Sequence, residues 1–222
     1  MNLSIENFLA LQKFIPMFLQ GIKNTLLLSL IGIFFGIILG MILSLFRLSR
    51  FKILRGISLT YLEFFRCTPL MIQVFFIFFA TPELFGIRFS PFYAGAIAMS
   101  LNSAAYVSEI IRSGINSVDK GQMEASRSLG LSYGKTMRYV IIPQAVKNIL
   151  PTLGNEFVAI IKETSTLTVI GAAEVMYTTD RVKASSFQST APIIVAMAIY
   201  FVITFTLSRV IAYFERRMKI SD

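Results

Sequence analysis

Histidine is absent from this chain, and Cys67 is the only cysteine among its 222 residues. A lone cysteine excludes an intrachain disulfide, and without histidine there is no Cys/His cluster to bind a structural metal. Acidic residues are scarce too, because 12 Asp and Glu stand against 21 Lys and Arg, for a formal net charge of +9. The sequence therefore excludes a disulfide scaffold and a Cys/His metal site, and its charge excess needs an explanation.

Apolar residues make up 55% of the sequence, and the mean hydropathy is +0.69. Three charge-free runs, Asn24 to Phe46, Phe89 to Ser108 and Ala184 to Ser208, are long enough to cross a hydrocarbon core of roughly 30 Å. Charged residues interrupt two further spans, from about Ile57 to Ala80 and from about Leu150 to Ala172. We therefore predict a single all-α membrane domain over residues 1–222, with five transmembrane helices.

Basic residues give the predicted helices an orientation. They concentrate between helices 1 and 2, between helices 3 and 4, and after helix 5, and these three regions must share one side of the membrane. The positive-inside rule makes that side cytoplasmic, with the N-terminus outside and the C-terminus inside. Topology then explains the net charge better than nucleic-acid binding does. The residues concerned are Arg47, Arg50, Lys52, Arg55, Arg112, Lys120, Arg127, Lys135, Arg138, Arg216, Arg217 and Lys219.

The first twenty residues do not resemble a cleaved signal peptide, because Lys13, Pro16 and Lys23 interrupt the apolar run. We predict a peripheral segment over residues 1–20, in which residues 4–19 form an amphipathic helix on the outer face of the membrane. The apolar side of that helix is predicted to consist of Ile5, Phe8, Leu9, Leu11 and Phe14.

A polar, charged segment separates the third and fourth apolar regions. We predict a helix from Gly121 to Leu129, because most of its residues favour helices and Gly130 is a typical C-terminal stop. Ser132 is then placed to cap a second short helix. Ala125 and Leu129 share a face that suits a groove on a partner protein, and the alternative is a solvated connecting loop.

One stretch in this segment imitates a phosphate-binding loop. Gly130 and Gly134 precede Lys135 and Thr136, but three residues separate the glycines where the motif requires four, and the stretch follows a helix. We therefore predict that this stretch binds no nucleotide, so that any ATP hydrolysis would have to be carried out by another chain.

Polar residues recur inside the predicted spans, where they are costly and usually face a cavity or a partner helix. On helix 3, spacings of four, three and four place a polar set on one face. That set is Asn102, Tyr106, Glu109 and Ser113. Helix 4 carries a second set, in which Glu163 is predicted to lie near the membrane midplane. The second set is Asn155, Glu156, Lys162, Glu163 and Thr166.

Helix 2 contains the pair Thr68–Pro69, which matches an N-cap followed by proline at the first helical position. We predict a break there, with the positive end of the new half-helix and Arg66 directed at the transport pathway. Backbone amides at the break would bind an α-carboxylate, and Glu163 with Asn102 and Asn155 would bind an amino or guanidinium group. The alternative is that these groups only join helices. The candidate substrate contacts are Arg66, Thr68, Asn102, Ser103, Asn155 and Glu163.

Motifs from about Gly21 to the end of the chain carry a resemblance to a known family. The polar stretch from Glu124 to Pro143 has Glu124-Ala125-Ser126, Gly130 and then Val140-Ile141-Ile142-Pro143. Around it occur, in order, Arg66-x-Thr68-Pro69-Leu70, Ala105-Tyr106-x-x-Glu109-x-x-Arg112-x-Gly114-Ile115, Gly121-Gln122-x-Glu124-Ala125, Pro143-Gln144-Ala145, Asn155-Glu156-Phe157 and Lys162-x-Thr164-Ser165. The chain resembles the polar-amino-acid permease subfamily of binding-protein-dependent ABC importers.

This resemblance implies a multi-pass subunit of the bacterial inner membrane that binds no cofactor itself. Its implied partners are a second permease copy or paralogue, two ATPase subunits that bind ATP and Mg²⁺, and an extracytoplasmic amino-acid-binding protein. Two departures are Ser126, where the family usually has alanine, and Thr166-Leu167 after Thr164-Ser165. The implied ATPase-coupling residues are Gly121, Glu124, Ala125, Ser126, Leu129 and Gly130.

The sequence thus predicts a non-enzymatic permease for polar amino acids, with a preference for cationic ones. An alternative is an ion- or proton-coupled secondary transporter with Glu109, Glu156, Lys162 and Glu163 as its relay, although the duplicated halves typical of such carriers are absent. A receptor or scaffold ranks last, because it gives the polar residues inside the spans no purpose.

Overall fold

The computed structural model describes residues 5–220, and every regular element within them is helical. In chain order the helices are α1 (Ile5–Leu9), α2 (Ile15–Leu48), α3 (Lys52–Cys67), α4 (Leu70–Phe85), α5 (Pro91–Asn116), α6 (Lys120–Ser128), α7 (Tyr133–Thr136), α8 (Ile142–Glu163), α9 (Val175–Ser186) and α10 (Thr190–Ile220). A 3₁₀ turn, Gln12–Phe14, precedes α2, and another, Thr164–Ile170, follows α8. A π turn, Phe76–Ala80, lies within α4, and a second, Met137–Ile141, joins α7 to α8.

Helices α2 and α5 pack side by side and run parallel. Gly36 faces Ser103, and Gly40, one turn later, faces Val107, so the residue numbers of the two helices rise together. A Cβ atom on Gly36 would lie 2.6 Å from Ser103 Oγ, which is closer than atoms can approach. Glycine therefore permits the close contact that forms the centre of the bundle.

Helix α8 runs antiparallel to α5. Asn148 Nδ2 donates to Ser117 Oγ over 2.8 Å near one end of the pair, whereas Ser103 Oγ donates to Glu156 Oε1 over 3.4 Å further along. We call the side of the molecule that holds α6 and α7 the coupling end, and the opposite side the far end. The start of α2 lies at the far end beside α9, because Val175 N donates to Thr25 Oγ1 over 3.3 Å.

The continuous helix predicted over residues 4–19 is interrupted in the structure. Residue 4 lies outside the described residues, and beyond it the chain forms α1, a turn and the 3₁₀ turn before α2 begins. Leu11 and Phe14 are buried against Val182 and Ala191, while Leu9 is 54% exposed. The segment therefore packs on the protein rather than forming one continuous amphipathic helix, because its buried residues complete a core at the far end.

Two predicted spans also have wrong limits. Helix α8 ends at Glu163 and does not continue to Ala172, since the hydroxyls of Thr164 and Ser165 donate to carbonyls three residues earlier and tighten the chain into the 3₁₀ turn. The charge-free run that begins at Ala184 is divided at Phe187, whose φ of 55° ends α9 before α10 begins.

The bundle is apolar on the outside as well as in its core. Leu28, Val74, Met99 and Ile160 share one buried cluster. Outward-facing side chains such as Phe34 and Phe201 are more than half exposed, as contact with lipid requires. By length and composition, two described helices are able to span a membrane, and the bent pair α3–α4 makes a third if it counts as one span. The predicted five spans and their orientation stay predictions.

Candidate substrate cleft and coupling surface

A cleft of about 770 Å³ lies between α3, α5 and α8. It extends from Arg66 and Glu156 toward Ser117 and Asn148, which lie near the coupling end. Most of its lining residues have polar or charged side chains, which the predicted membrane spans otherwise contain rarely. The lining residues are Arg66, Tyr106, Glu109, Ile110, Ser113, Gly114, Ser117, Asn148, Thr152, Asn155 and Glu156.

The polar face predicted on the third span contributes much of this lining. Tyr106, Glu109 and Ser113 all line the cleft. Asn102, one turn before Tyr106, is only 5% exposed and is absent from the lining. The residues that the spacing placed on one face thus do lie on the side of α5 that faces the cleft. A shared face alone does not show how deeply each residue is buried.

The predicted break at Thr68–Pro69 is present, and the chain bends there by 106° between α3 and α4. The expected capping role of Thr68 is wrong. Helix α4 begins at Leu70 without a side-chain cap, and Thr68 Oγ1 donates instead to Phe64 O over 2.7 Å. The hydroxyl prefers the carbonyl four residues earlier because that group is left exposed where α3 ends.

Asn102 and Thr68 are joined through Gln73. Asn102 Nδ2 donates to Gln73 Oε1 over 2.9 Å, and Gln73 Nε2 donates to Thr68 Oγ1 over 2.9 Å. Both predicted contact residues thus lie behind the lining of the cleft, where they bind protein groups. Ser103 is also buried, with 1% exposure, and its hydroxyl donates to Glu156.

Carboxylates give the cleft its chemical character. Glu156 lines it directly, and the half-buried Glu163 at the end of α8 is close enough to Glu156 and Tyr106 to act on both electrostatically. Of the six predicted substrate contacts, Arg66 and Asn155 line the cleft. Tyr106 and Glu156, which belong to the polar sets predicted inside the spans, were not among the predicted substrate contacts, although the spacing of seven between Glu156 and Glu163 already placed both acids on one side of α8.

The acidic residues of the cleft differ in their ionic partners. Glu109 pairs with Arg47 over 2.7 Å and also with Arg112, so its charge is compensated. Glu156, by contrast, has no salt-bridge partner in the part of the chain that the structure describes, and only the Ser103 hydroxyl bonds to it. Glu156 is therefore the acid in the lining of the cleft that has no cationic partner among the described residues.

The coupling segment has the helical form that the sequence predicts. Helix α6 begins and ends within one residue of the predicted limits, and Gly130 follows it with a φ of 86°. Asp119, which the prediction omitted, caps α6 by accepting from Gly121 N over 2.6 Å. Ser132 caps α7 as predicted, by accepting from Lys135 N over 3.5 Å.

One side of α6 is attached to the bundle and the other is open. Met123 packs on a cluster that includes Val118, and Ser126 is only 8% exposed. Glu124 and Ala125 are exposed, and Leu129 is 85% exposed, which is unusual for a large apolar side chain outside a lipid-facing helix. The docking face predicted around Ala125 and Leu129 is thus accessible, whereas Ser126 supports it from beneath.

Comparison with known proteins identifies the family. Residues 32–220 match the family described as binding-protein-dependent transport system inner membrane component. The chain belongs to this family. The permease is therefore a transport component and not an enzyme, and ATP hydrolysis in such systems belongs to separate ATPase subunits.

The permease has similar relatives along nearly its whole length. It is 42% identical over 208 residues to the arginine transport system permease protein ArtQ of Bacillus subtilis (strain 168), covering 94% of the permease and 95% of that relative. It is 40% identical over 212 residues to the putative glutamine transport system permease protein GlnP of Rickettsia bellii (strain RML369-C), covering 94% and 97%.

A solved structure has the same fold. The crystal structure of an amino acid ABC transporter with histidines superposes with a TM-score of 0.94 at 41% identity, covering 98% of the permease and 100% of that chain.

Proposed function

We propose that this permease imports polar amino acids, with a preference for cationic ones such as arginine, lysine or histidine. The names of its relatives support amino-acid import, since they include an arginine and a glutamine system. The unpaired carboxylate of Glu156 carries the cationic preference, because a guanidinium or ammonium group is the natural partner for a carboxylate without a salt bridge.

The two ends of a zwitterionic substrate have separate places in this proposal. Glu156, with Glu163 close by and Asn155 in the lining, binds the cationic group. Arg66 lies on the opposite wall, at the end of α3, and binds the α-carboxylate. The first amides of α4 assist Arg66, because no side chain caps this helix and its N-terminus carries a partial positive charge.

The remaining predicted contacts support these groups from behind. Ser103 donates to Glu156 and orients its carboxylate. Thr68 and Asn102 belong to the hydrogen-bonded set at the bend of α3 and α4. Their role in the proposal is to hold the bend and the acid in place while the lining residues touch the substrate.

The proposed assembly follows the predicted topology. Five spans, with the N-terminus outside and the C-terminus inside, place α6 and α7 in the cytoplasm, where residues 121–134 dock on two ATPase subunits. A second permease copy or paralogue completes the pathway through two-fold symmetry. An extracytoplasmic binding protein delivers the amino acid at the far end, and closure of the ATPases on ATP and Mg²⁺ moves the coupling segment and rocks the helices.

A competition experiment tests the proposed substrate class. Proteoliposomes that contain the permease, its ATPase and its binding protein would take up labelled arginine while unlabelled arginine, lysine, glutamine or aspartate competes. We expect the cationic amino acids to compete best, and Glu156→Gln to lose this preference. Glu63→Gln is the matched control, because Glu63 is exposed on α3 outside the cleft. If glutamine competes as well as arginine, the cationic preference is wrong.

A further inference from the structure

The side chain of Gln73 holds the bend between α3 and α4. It is not among the proposed substrate contacts. Gln73 lies in the first turns of α4 and is only 6% exposed. Its Nε2, which carries two N–H groups, lies within hydrogen-bond distance of three acceptors, Phe65 O at 3.0 Å, Thr68 O at 3.1 Å and Thr68 Oγ1 at 2.9 Å, so that one N–H is shared. Its Oε1 accepts from Asn102 Nδ2 over 2.9 Å. One buried carboxamide thus connects α3, α4 and α5.

The reason that this position needs an amide lies in the covalent structure of proline. In a continuous α-helix, the carbonyl of Phe65 would accept from the N–H of residue 69. Residue 69 is proline, which has no N–H to donate. Gln73 supplies the missing donor from the following helix over 3.0 Å, and Asn102 Nδ2 donates to the same carbonyl over 3.4 Å. Gln73 makes the shorter of the two contacts, and it also orients Asn102 through Oε1.

The same contacts determine where the substrate-facing groups of the bend lie. Arg66 follows Phe65 directly and lines the cleft, and the uncapped start of α4 follows Pro69. Both groups are within one turn of a carbonyl that Gln73 holds. A change in the bend angle would therefore move the Arg66 guanidinium relative to Glu156 on the opposite wall.

We propose that Gln73 is a positioning residue for substrate binding: it replaces the donor that Pro69 lacks and so fixes the bend that presents Arg66 and the start of α4 to the α-carboxylate. This inference rests on the proposed function, because it assumes that the bend receives that carboxylate. Gln73 itself does not touch the substrate.

The test measures direct binding to the complete importer purified with its ATPase subunits. The probes are arginine and agmatine, the amine that remains when arginine loses its carboxylate. Apparent dissociation constants come from ligand-induced shifts in thermal unfolding. Gln73→Met removes every hydrogen bond at nearly constant volume, and Gln12→Met is the matched control at an exposed glutamine of the far end.

We expect Gln73→Met to weaken arginine binding about tenfold and to leave agmatine binding within twofold, so that the preference for arginine over agmatine disappears. Backbone hydrogen exchange across residues 64–75 should accelerate in Gln73→Met and not in Gln12→Met. If Gln73→Met yields too little importer, Gln73→Leu removes the same hydrogen bonds without adding a charge and should shift the preference in the same direction.

Distinct outcomes overturn the two proposals. A parental importer that binds neither arginine nor any other polar amino acid contradicts the proposed function. A parental importer that prefers arginine to agmatine, with Gln73→Met showing the same preference, contradicts the positioning role of Gln73. Equal losses for arginine and agmatine also contradict it, because they would indicate general damage to the cleft.

Discussion

Arg47 Nη1 lies 2.7 Å from Glu109 Oε2, which joins the coupling end of α2 to α5 across 62 residues of sequence. Arg112, one turn after Glu109 on α5, pairs with the same carboxylate. Glu109 is therefore the acid of the cleft whose charge the protein itself compensates. Glu156, which lacks such a partner among the described residues, is the acid to which we assign the cationic group of the substrate.

Removal of the Arg47 contact should weaken the attachment of α2 to α5. The Arg47 and Glu109 side chains are 21% and 25% exposed, so we expect Arg47→Met to lower the free energy of unfolding by about 1 kcal/mol. Thermal unfolding in detergent measures this loss, and Arg50→Met, at an exposed arginine three residues later, is the control. Equal destabilisation by both substitutions would show that the ion pair is not responsible.

Because α2 and α5 are in close contact at Gly36, we predict that adding a single methyl group there lowers the stability of the protein. A Cβ atom there would lie 2.6 Å from Ser103 Oγ and 2.8 Å from Ser103 Cβ, so the helices must move apart. We expect Gly36→Ala to cost about 1–3 kcal/mol in stability. Gly56→Ala, where no atom lies within 4 Å, should be neutral or slightly stabilising in its helix. A stable Gly36→Ala protein would mean that the two helices are further apart than the structure shows.

Glu163 lies outside the lining of the cleft, and its substitution tests whether this acid takes part in substrate binding beside Glu156. We expect Glu163→Ala to raise the apparent Michaelis constant for arginine uptake about tenfold, because a charge-assisted hydrogen bond contributes roughly 1.5–3 kcal/mol. Co-purification with the ATPase should be unchanged, since Glu163 lies well away from α6 and α7. Glu83→Ala removes an exposed acid at the end of α4 and serves as the control. Parental uptake by Glu163→Ala would remove Glu163 from the proposed site.

The substitution Leu129→Asp tests the predicted docking face of α6. Because its side chain is 85% exposed, Leu129→Asp should leave the fold intact and prevent co-purification with the ATPase. Phe187→Asp introduces the same charge at a side chain that is 91% exposed at the far end, and it should co-purify normally. Retention of the ATPase by Leu129→Asp would place the docking face elsewhere.

Local chemistry made some features predictable from the sequence. The stop at Gly130, the cap at Ser132 and the bend at Thr68–Pro69 each depend on residues within a few positions of one another. Their conformational preferences act over that short range, so the structure agrees with the prediction closely.

Other features depend on contacts that no local pattern contains. The side chain of Thr68 turns back to Phe64, and Asn102 bonds to Gln73, because the bend brings α3, α4 and α5 together. The division at Phe187 interrupts a run that is charge-free and therefore appeared continuous. Hydropathy indicates which segments of a chain are apolar, but it does not indicate where the backbone turns.

The most direct measurement of the central claim is ATP hydrolysis by the reconstituted importer. The permease, its ATPase and its binding protein would be combined in liposomes, and hydrolysis would be measured with and without each amino acid. We predict stimulation by polar amino acids, greatest for cationic ones, and its loss in Glu124→Lys, which reverses a charge on the exposed side of α6. If no ATPase associates with the permease and a pH gradient alone drives uptake, the account is contradicted.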